Sequence, residues 1–180
     1  MSEAVVLDEN LILRMGRGDG AAFRDLYDQT SGIVYGFALS ILRNRHDAED
    51  VMHDAFIKVY QSAVTYRPMG KPLAWILTIV RNLSYNKMRA GTISEDIADY
   101  ENVLPAADDG TVDRLMLREA LGILDFEERQ IVILHALTGL KHREIAEILE
   151  LPLGTVTSKY NRALKKMREA IDGKGEPDGQ

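Results

Sequence analysis

Apolar residues return at every third or fourth position through most of this chain, the period of a helix with one face turned inward. Residues 10–15 are expected to form one short helix, with Gly16, Gly18 and Gly20 loosening the chain just beyond it. Asp19 is placed to cap a longer helix whose inner stripe is Phe23, Leu26, Tyr27, Thr30, Val34, Phe37, Ala38 and Ile41. Gly32 and Gly36 weaken it locally, each by about 1 kcal/mol against Ala. After a break at 43–46, Asp47 is expected to cap the next helix, and Glu49 and Asp50 in its first turn complement the dipole. Its apolar side is Ala48, Val51, Met52, Ala55, Phe56 and Val59. Trp75, Ile76, Ile79, Val80 and Leu83 read as the core stripe of a further helix.

The second half repeats the helical period after an interruption. Residues 113–124 are helical in pattern, and Asp125 with Glu128 three positions on resembles a capping box. The helix it opens, 127–137, is rich in Ile, Val and Leu and is expected to be buried. Gly139 ends it, with Leu140 making the hydrophobic contact usual just past such a C-terminus. Two short helices joined by a tight turn then occupy 140–171. Ile145, Ala146, Ile148 and Leu149 give the first an apolar face, Pro152 and Gly154 break the run, and Thr155 is placed to cap the second. Val156, Tyr160, Ala163, Met167 and Ile171 form the buried stripe of the second helix. Its outward positions are Ser158, Lys159, Asn161, Arg162, Lys165, Lys166 and Arg168, with no acid between Thr155 and Arg168. A helix apolar behind and basic in front suits the major groove of DNA, and the pair reads as a helix-turn-helix. Glu150 stands where such units often place a turn glycine.

Two polar faces lie outside that unit. Asp50, Asp54, Ile57 and Gln61 lie opposite the apolar side of their helix, so an isoleucine points away from the core. That is either an ordinary exposed Ile or the centre of an acidic, protein-binding ridge. Between Ala55 and Ser94 the chain holds Lys58, Arg67, Lys71, Arg81, Lys87 and Arg89 and no acid, interleaved with Tyr60, Tyr66, Trp75 and Tyr85. Bases attract phosphates and aromatic faces stack on unpaired bases. Tyr66 and Arg67 open a loop with Pro68, Gly70 and Pro72, which a core stripe does not explain.

Charge modifies this picture through its distribution. The net charge of the 180 residues is −6, but residues 1–91 carry +1, residues 113–180 carry −1, and the segment 92–112 carries −6 with no base at all. Pro105 and Gly110 interrupt any helix there, so the segment is expected to be an extended, flexible linker. The Gly-, Pro- and acid-rich residues 173–180 are expected to be a disordered tail. The fold class expected is therefore all-α: a helical domain over 1–91, the acidic linker 92–112, and a helix-turn-helix domain over 113–172. Neither domain is negative enough to repel DNA as a body.

Candidate chemistry is sparse. With no Cys, disulfides and thiolate metal sites are excluded, and the four His are scattered without ligand spacing. No nucleophile–base set and no Gly-rich phosphate loop is present, so neither catalysis, nor a cofactor, nor a small-molecule substrate is expected. No signal-peptide pattern and no apolar run of about 18 residues occurs, which points to a cytoplasmic protein without direct membrane insertion.

Four blocks, in order, carry a family resemblance. They are Asp47-Ala48-Glu49-Asp50-Val51 with His53-Asp54-Ala55-Phe56; Pro72-Leu73-Ala74-Trp75-Ile76 leading to Arg81-Asn82; Gly139-Leu140 with Glu144-Ile145-Ala146-Glu147-Ile148-Leu149; and Gly154-Thr155-Val156 with Ser158 and Arg162-Ala163. Over roughly residues 19–171 the chain resembles an extracytoplasmic-function sigma factor, the small group IV type of bacterial transcription initiation factor. The resemblance implies that Asp47, Glu49, Asp50, Asp54 and Ile57 bind the clamp helices of core RNA polymerase. It implies that Tyr66, Arg67, Asn82, Tyr85, Asn86, Lys87 and Arg89 read the −10 element, with a flipped base captured by the Tyr66–Gly70 loop. It implies that Thr155, Thr157, Ser158, Lys159, Asn161, Arg162 and Lys165 read the −35 element as duplex, that the linker threads toward the RNA-exit channel, and that an anti-sigma factor is a further partner. The chain departs from the family pattern at Lys141, where a Ser or Thr cap is usual, at Thr157 and Lys159, and at Ser84-Tyr85-Asn86 with a single Arg89.

Two other readings predict different behaviour. An operator-binding regulator with a sensing or dimerising N-terminal half would bind DNA tightly alone, as a dimer on a symmetric site. An RNA-binding module would use Tyr66 and Trp75.

Overall fold

The computed structural model describes residues 5–91 and 119–173, and every regular element among them is a helix. The acidic linker, the first half of the helix expected over 113–124, and nearly all of the tail lie outside the described residues. The helices are α1 (Asn10–Met15), α2 (Gly20–Leu42), α3 (Arg45–Ser62), α4 (Pro72–Arg89), α5 (Phe126–Thr138), α6 (His142–Leu149) and α7 (Leu153–Asp172). A 3-10 turn at Ala63–Thr65 follows α3, and residues 119–122 are helical.

Helix α2 is the axis of the fold. Asp19 caps it as its sequence suggests, accepting hydrogen bonds from Ala21 N and Ala22 N. Its first half buries one stripe, with Leu26 and Thr30 inside and Phe23 and Tyr27 half-buried. From Ile33 onward it is buried nearly all round, because α3, α4 and α5 enclose it. Arg43 ends it in the left-handed conformation, φ 54°.

Two caps fall elsewhere than expected. Asn44, not Asp47, caps α3: its side chain accepts from Asp47 N at 2.9 Å, and Asp47 sits inside the first turn. An amide oxygen three residues ahead does the capping, which leaves the Asp47 carboxylate for other work. Likewise α7 starts at Leu153, before Thr155, with no side-chain cap. The turn is made earlier, where Glu150 takes φ 55°, so the position usually given to glycine does have glycine-like geometry. The stripe of α4 is also rotated from the expected one. Leu73, Ile76, Leu77, Val80 and Ser84 are buried, whereas Trp75, Ile79 and Leu83 are only half-buried.

In the second unit, the capping box of Asp125 and Glu128 forms in both directions, and Gly139 takes φ 66°. At α6 the reciprocal half alone operates, with Glu144 accepting from Lys141 N at 2.9 Å. Ile145, Ala146, Ile148 and Leu149 are buried, and in α7 Val156 and Ala163 are, while Ile171 emerges at 42% exposure. Helix α5 packs on α2, joining both units in one apolar core. The buried Arg129 fixes that joint, donating to Ser40 O, Leu121 O and Leu124 O. At the rim Lys71 pairs with Glu147 (2.7 Å) and Arg81 with Glu150 (3.2 Å), tying α4 to α6.

Candidate functional site

The polar side of α3 forms the first surface. Ile57 is 57% exposed, Asp54 and Gln61 are exposed, and Glu49 and Asp50 are half-buried. Asp47 is buried and turned inward, so it is not on the ridge with the others. Lys87 of α4 reaches across to it, 3.1 Å from Asp47 Oδ1 and 3.0 Å from Asp50 Oδ2. The hydrogen bond from Lys87 holds the Asp50 carboxyl below its usual range, and the same bond raises the Lys87 ammonium. Beside the ridge, α2 and α3 leave an open groove of about 790 Å³ lined by Phe23, Tyr27, His53, Phe56, Ile57, Tyr60 and Gln61. Its floor is an aromatic cluster: Phe23 meets Phe56 and Tyr60 edge-on, at 6.3 and 5.6 Å between ring centres. An apolar trough beside an acidic ridge can take a helix of complementary character from a partner.

The second surface combines the 66–71 loop with α4. A hollow of about 450 Å³ opens there, lined by Ser62, Thr65, Tyr66, Arg67, Met69 and Trp75. Tyr66 packs on Trp75 with ring centres 4.6 Å apart, and Met69 is 73% exposed. At about 100° per residue, Trp75, Asn82, Asn86 and Arg89 share one side of α4. Asn82, Asn86 and Arg89 are exposed there, continuing from the hollow along the helix. Lys87 lies about 140° round the helix from Asn82, which is why it meets α3 and not this face. Tyr85 faces the second unit, donating to Gln130 Oε1 at 3.2 Å beneath the guanidinium of Arg81.

The third surface is the outer side of α7. Ser158, Asn161, Arg162 and Lys165 are exposed, and Thr155 is half-buried at its start. Thr157 lies at the edge, its hydroxyl 3.3 Å from His142 Nδ1. Burial, together with neighbouring His135, lowers the pKa of His142. Lys159 is drawn toward α5, 3.2 Å from Asp125 and 3.1 Å from Glu127. Burial acts to lower its pKa, but the two carboxylates outweigh this and raise it. Glu128, fully buried, accepts from Lys166 at 2.6 Å and faces Arg162 at 4.0 Å. Helix α7 is thus held to α5 by charge along one flank, while its N-terminal half faces outward.

Three features do not stand out as sites in the sequence. Glu9 lies in the ordinary lead-in to a short helix, yet its Oε1 accepts from Tyr66 OH at 2.6 Å, Met69 N at 2.9 Å and Gly70 N at 3.1 Å. Burial and the Glu9 contact together raise the Tyr66 hydroxyl pKa. Of the groove aromatics, Phe23 reads in the sequence only as part of a core stripe, and Tyr60 only as one of the aromatics interleaved with bases. Glu128 and Arg129 carry charges in a helix read as buried, and only the capping box hinted at one of them.

Comparison with known proteins places these surfaces in a family. Residues 12–92 match the model of Sigma-70 region 2, and residues 114–167 match that of Sigma-70, region 4. The chain is similar to the ECF RNA polymerase sigma factor SigK of Mycobacterium ulcerans, 31% identical over 176 residues, covering 92% of this chain and 94% of that protein. It is likewise similar to the ECF RNA polymerase sigma-E factor of Haemophilus influenzae, 30% identical over 186 residues, covering 94% and 96%. In fold it is similar to CnrH, solved with the cytosolic domain of CnrY (TM-score 0.66, 22% identity, 92% of this chain and 97% of that one). It is also similar to RpoE of Bartonella quintana, solved with the anti-sigma factor NepR (TM-score 0.69, 24% identity, 83% and 96%). No helix among the described residues is long and apolar enough to cross a membrane. An operator-binding regulator would have no use for a region 2 unit, so that alternative falls away. With regions 2 and 4 in order and relatives matched along nearly their full length, the chain belongs to the extracytoplasmic-function sigma factors, the non-enzymatic subunits that direct bacterial RNA polymerase to promoters.

Proposed function

We propose that the three surfaces divide the work of promoter recognition. The α2–α3 groove and its rim, with Ile57 at the centre and Glu49, Asp50 and Asp54 beside it, dock on the clamp helices of core polymerase. Asp47 belongs to this site through Lys87, which ties the start of α3 to α4. The observation that carries the reading is Ile57, more than half exposed at the lip of an aromatic-floored groove beside acids. An apolar side chain in that setting gains free energy only when something covers it.

The hollow at Tyr66, Arg67, Met69 and Trp75 takes a base extruded from the −10 element, and Asn82, Asn86 and Arg89 follow the opened strand along α4. Extrusion costs a few kcal/mol, which stacking and hydrogen bonds inside a pocket can offset. Tyr85 and Lys87 support this face from behind, since both are engaged within the protein. The face of α7 from Thr155 to Lys165 reads the −35 element as duplex, with Ser158, Asn161 and Arg162 nearest the base edges and Lys165 on phosphate. Thr157 and Lys159 flank it. Two fold relatives were solved with partner proteins, one of them an anti-sigma factor. That supports an anti-sigma factor as the restraining partner of this chain.

A gel-shift on promoter DNA with and without core polymerase tests the division. Weak binding by the chain alone and sequence-specific binding with core is expected. Tight, specific binding without core would overturn it.

A further inference from the structure

The 66–71 loop holds no regular structure, yet it has to present a defined hollow. Its backbone shape needs something to fix it. Inside the loop, Gly70 takes φ 71° and the N–H groups of Met69 and Gly70 point the same way. Both meet one oxygen of Glu9, together with the Tyr66 hydroxyl. Three donors from three loop residues therefore converge on a single carboxylate oxygen supplied from a different part of the chain. The mount beneath that carboxylate is rigid. Leu11, Ile12 and Met15 bury α1 in the core. At its far end Gly16 lies so close to the 3-10 turn that an added Cβ would be 2.6 Å from Ala63 O. The short helix is thus seated against the turn that leads into the loop at one end, and grips the loop itself at the other.

We propose that Glu9 is a positioning residue for −10 recognition, holding the 66–70 loop in the shape that accepts an extruded base. This rests on the reading of that hollow as the base-capture site. With its hydroxyl committed to Glu9, Tyr66 serves as a fixed wall against Trp75 and not as a mobile stacking platform. Arg67 and Met69 are left to face the strand. A neutral carboxamide keeps an acceptor oxygen at the same reach, whereas alanine leaves three donors without their shared partner.

The test uses full-length chain assembled with core polymerase. The probe is a single-stranded −10 oligonucleotide carrying 2-aminopurine, whose fluorescence rises when a base leaves the stack. Glu9→Ala is expected to lower affinity for this strand by about tenfold or more and to abolish the fluorescence rise. Affinity for core and for −35 duplex should stay within about twofold. Glu9→Gln should restore most of the signal, and Tyr66→Phe, which removes one donor and keeps the ring, should fall between. If Arg67→Ala and Met69→Ala weaken strand binding but Glu9→Ala does not, the positioning role is wrong and base capture stands. If none of these variants alters strand binding, base capture fails and the proposal with it. Parallel loss of core binding in Glu9→Ala, without rescue by Glu9→Gln, would mark a general structural role and overturn the proposal.

Discussion

Replacing Ile57 isolates the docking surface from the rest of the molecule. The side chain is 57% exposed, so docking on polymerase can cover at most a little over half of it. Full burial of an isoleucine is worth about 1.5–3 kcal/mol. The part left to bury therefore contributes about 1–1.5 kcal/mol, and Ile57→Ala should raise the dissociation constant for core by about 5- to 13-fold. Ile57→Glu differs in kind. It places a carboxylate between an aromatic floor and an incoming apolar surface, beside Asp54 and Asp50, and desolvating an unpaired charge costs several kcal/mol. Binding should then be undetectable at about 100 times the wild-type dissociation constant. Because the position faces solvent in the free chain, both variants should keep their stability within about 0.5 kcal/mol. Fluorescence anisotropy of labelled chain titrated with core gives the affinity, and thermal circular dichroism gives the control. Wild-type affinity in Ile57→Glu would refute the groove as the docking site. A lowered melting temperature would show that the exposed position had been misjudged.

Other expectations concern the remaining surfaces. Arg162→Ala should weaken holoenzyme binding to the −35 duplex by about 1–3 kcal/mol with altered base preference; an equal loss over all sequences would reassign it to phosphate contact. Lys166→Met strips the close partner from the buried Glu128 carboxylate. Since Lys166 is 36% exposed and water can partly replace it, the cost is about 1–3 kcal/mol, read as a fall in melting temperature of about 3–10 °C. An unchanged melting temperature would mean that Glu128 finds other partners. The lowered pKa of His142 makes the unfolded chain the better proton acceptor, so this residue costs stability as pH falls below about 6.5. Melting temperature between about pH 7 and pH 5 should therefore fall less steeply in His142→Gln, and an identical slope would exclude the effect.

The sequence made the helices and their faces legible wherever one periodicity governed one environment. Ile145, Ala146, Ile148 and Leu149 were readable as an inner face because α6 packs on one side only. The capping box at Asp125 and the glycine stop at Gly139 were readable because such chemistry is local. Legibility failed where a helix meets several neighbours. The second half of α2 and most of α5 are buried all round, so no stripe there distinguishes one contact from another. Lys87 illustrates the loss at a site. Its place in a basic, aromatic stretch suggests DNA, but the rotation of α4 turns it to Asp47 and Asp50. Glu9 is separated from the loop it grips by 57 to 61 residues, and nothing local in either segment announces that meeting.

Mapping transcript start sites made by core polymerase with and without the chain, on bacterial genomic DNA, reaches the central claim most directly. Adding the chain should create a limited set of starts, each preceded by the same pair of −35 and −10 sequences, and Ile57→Glu should erase that set. Starts that are the same with and without the chain would contradict the account.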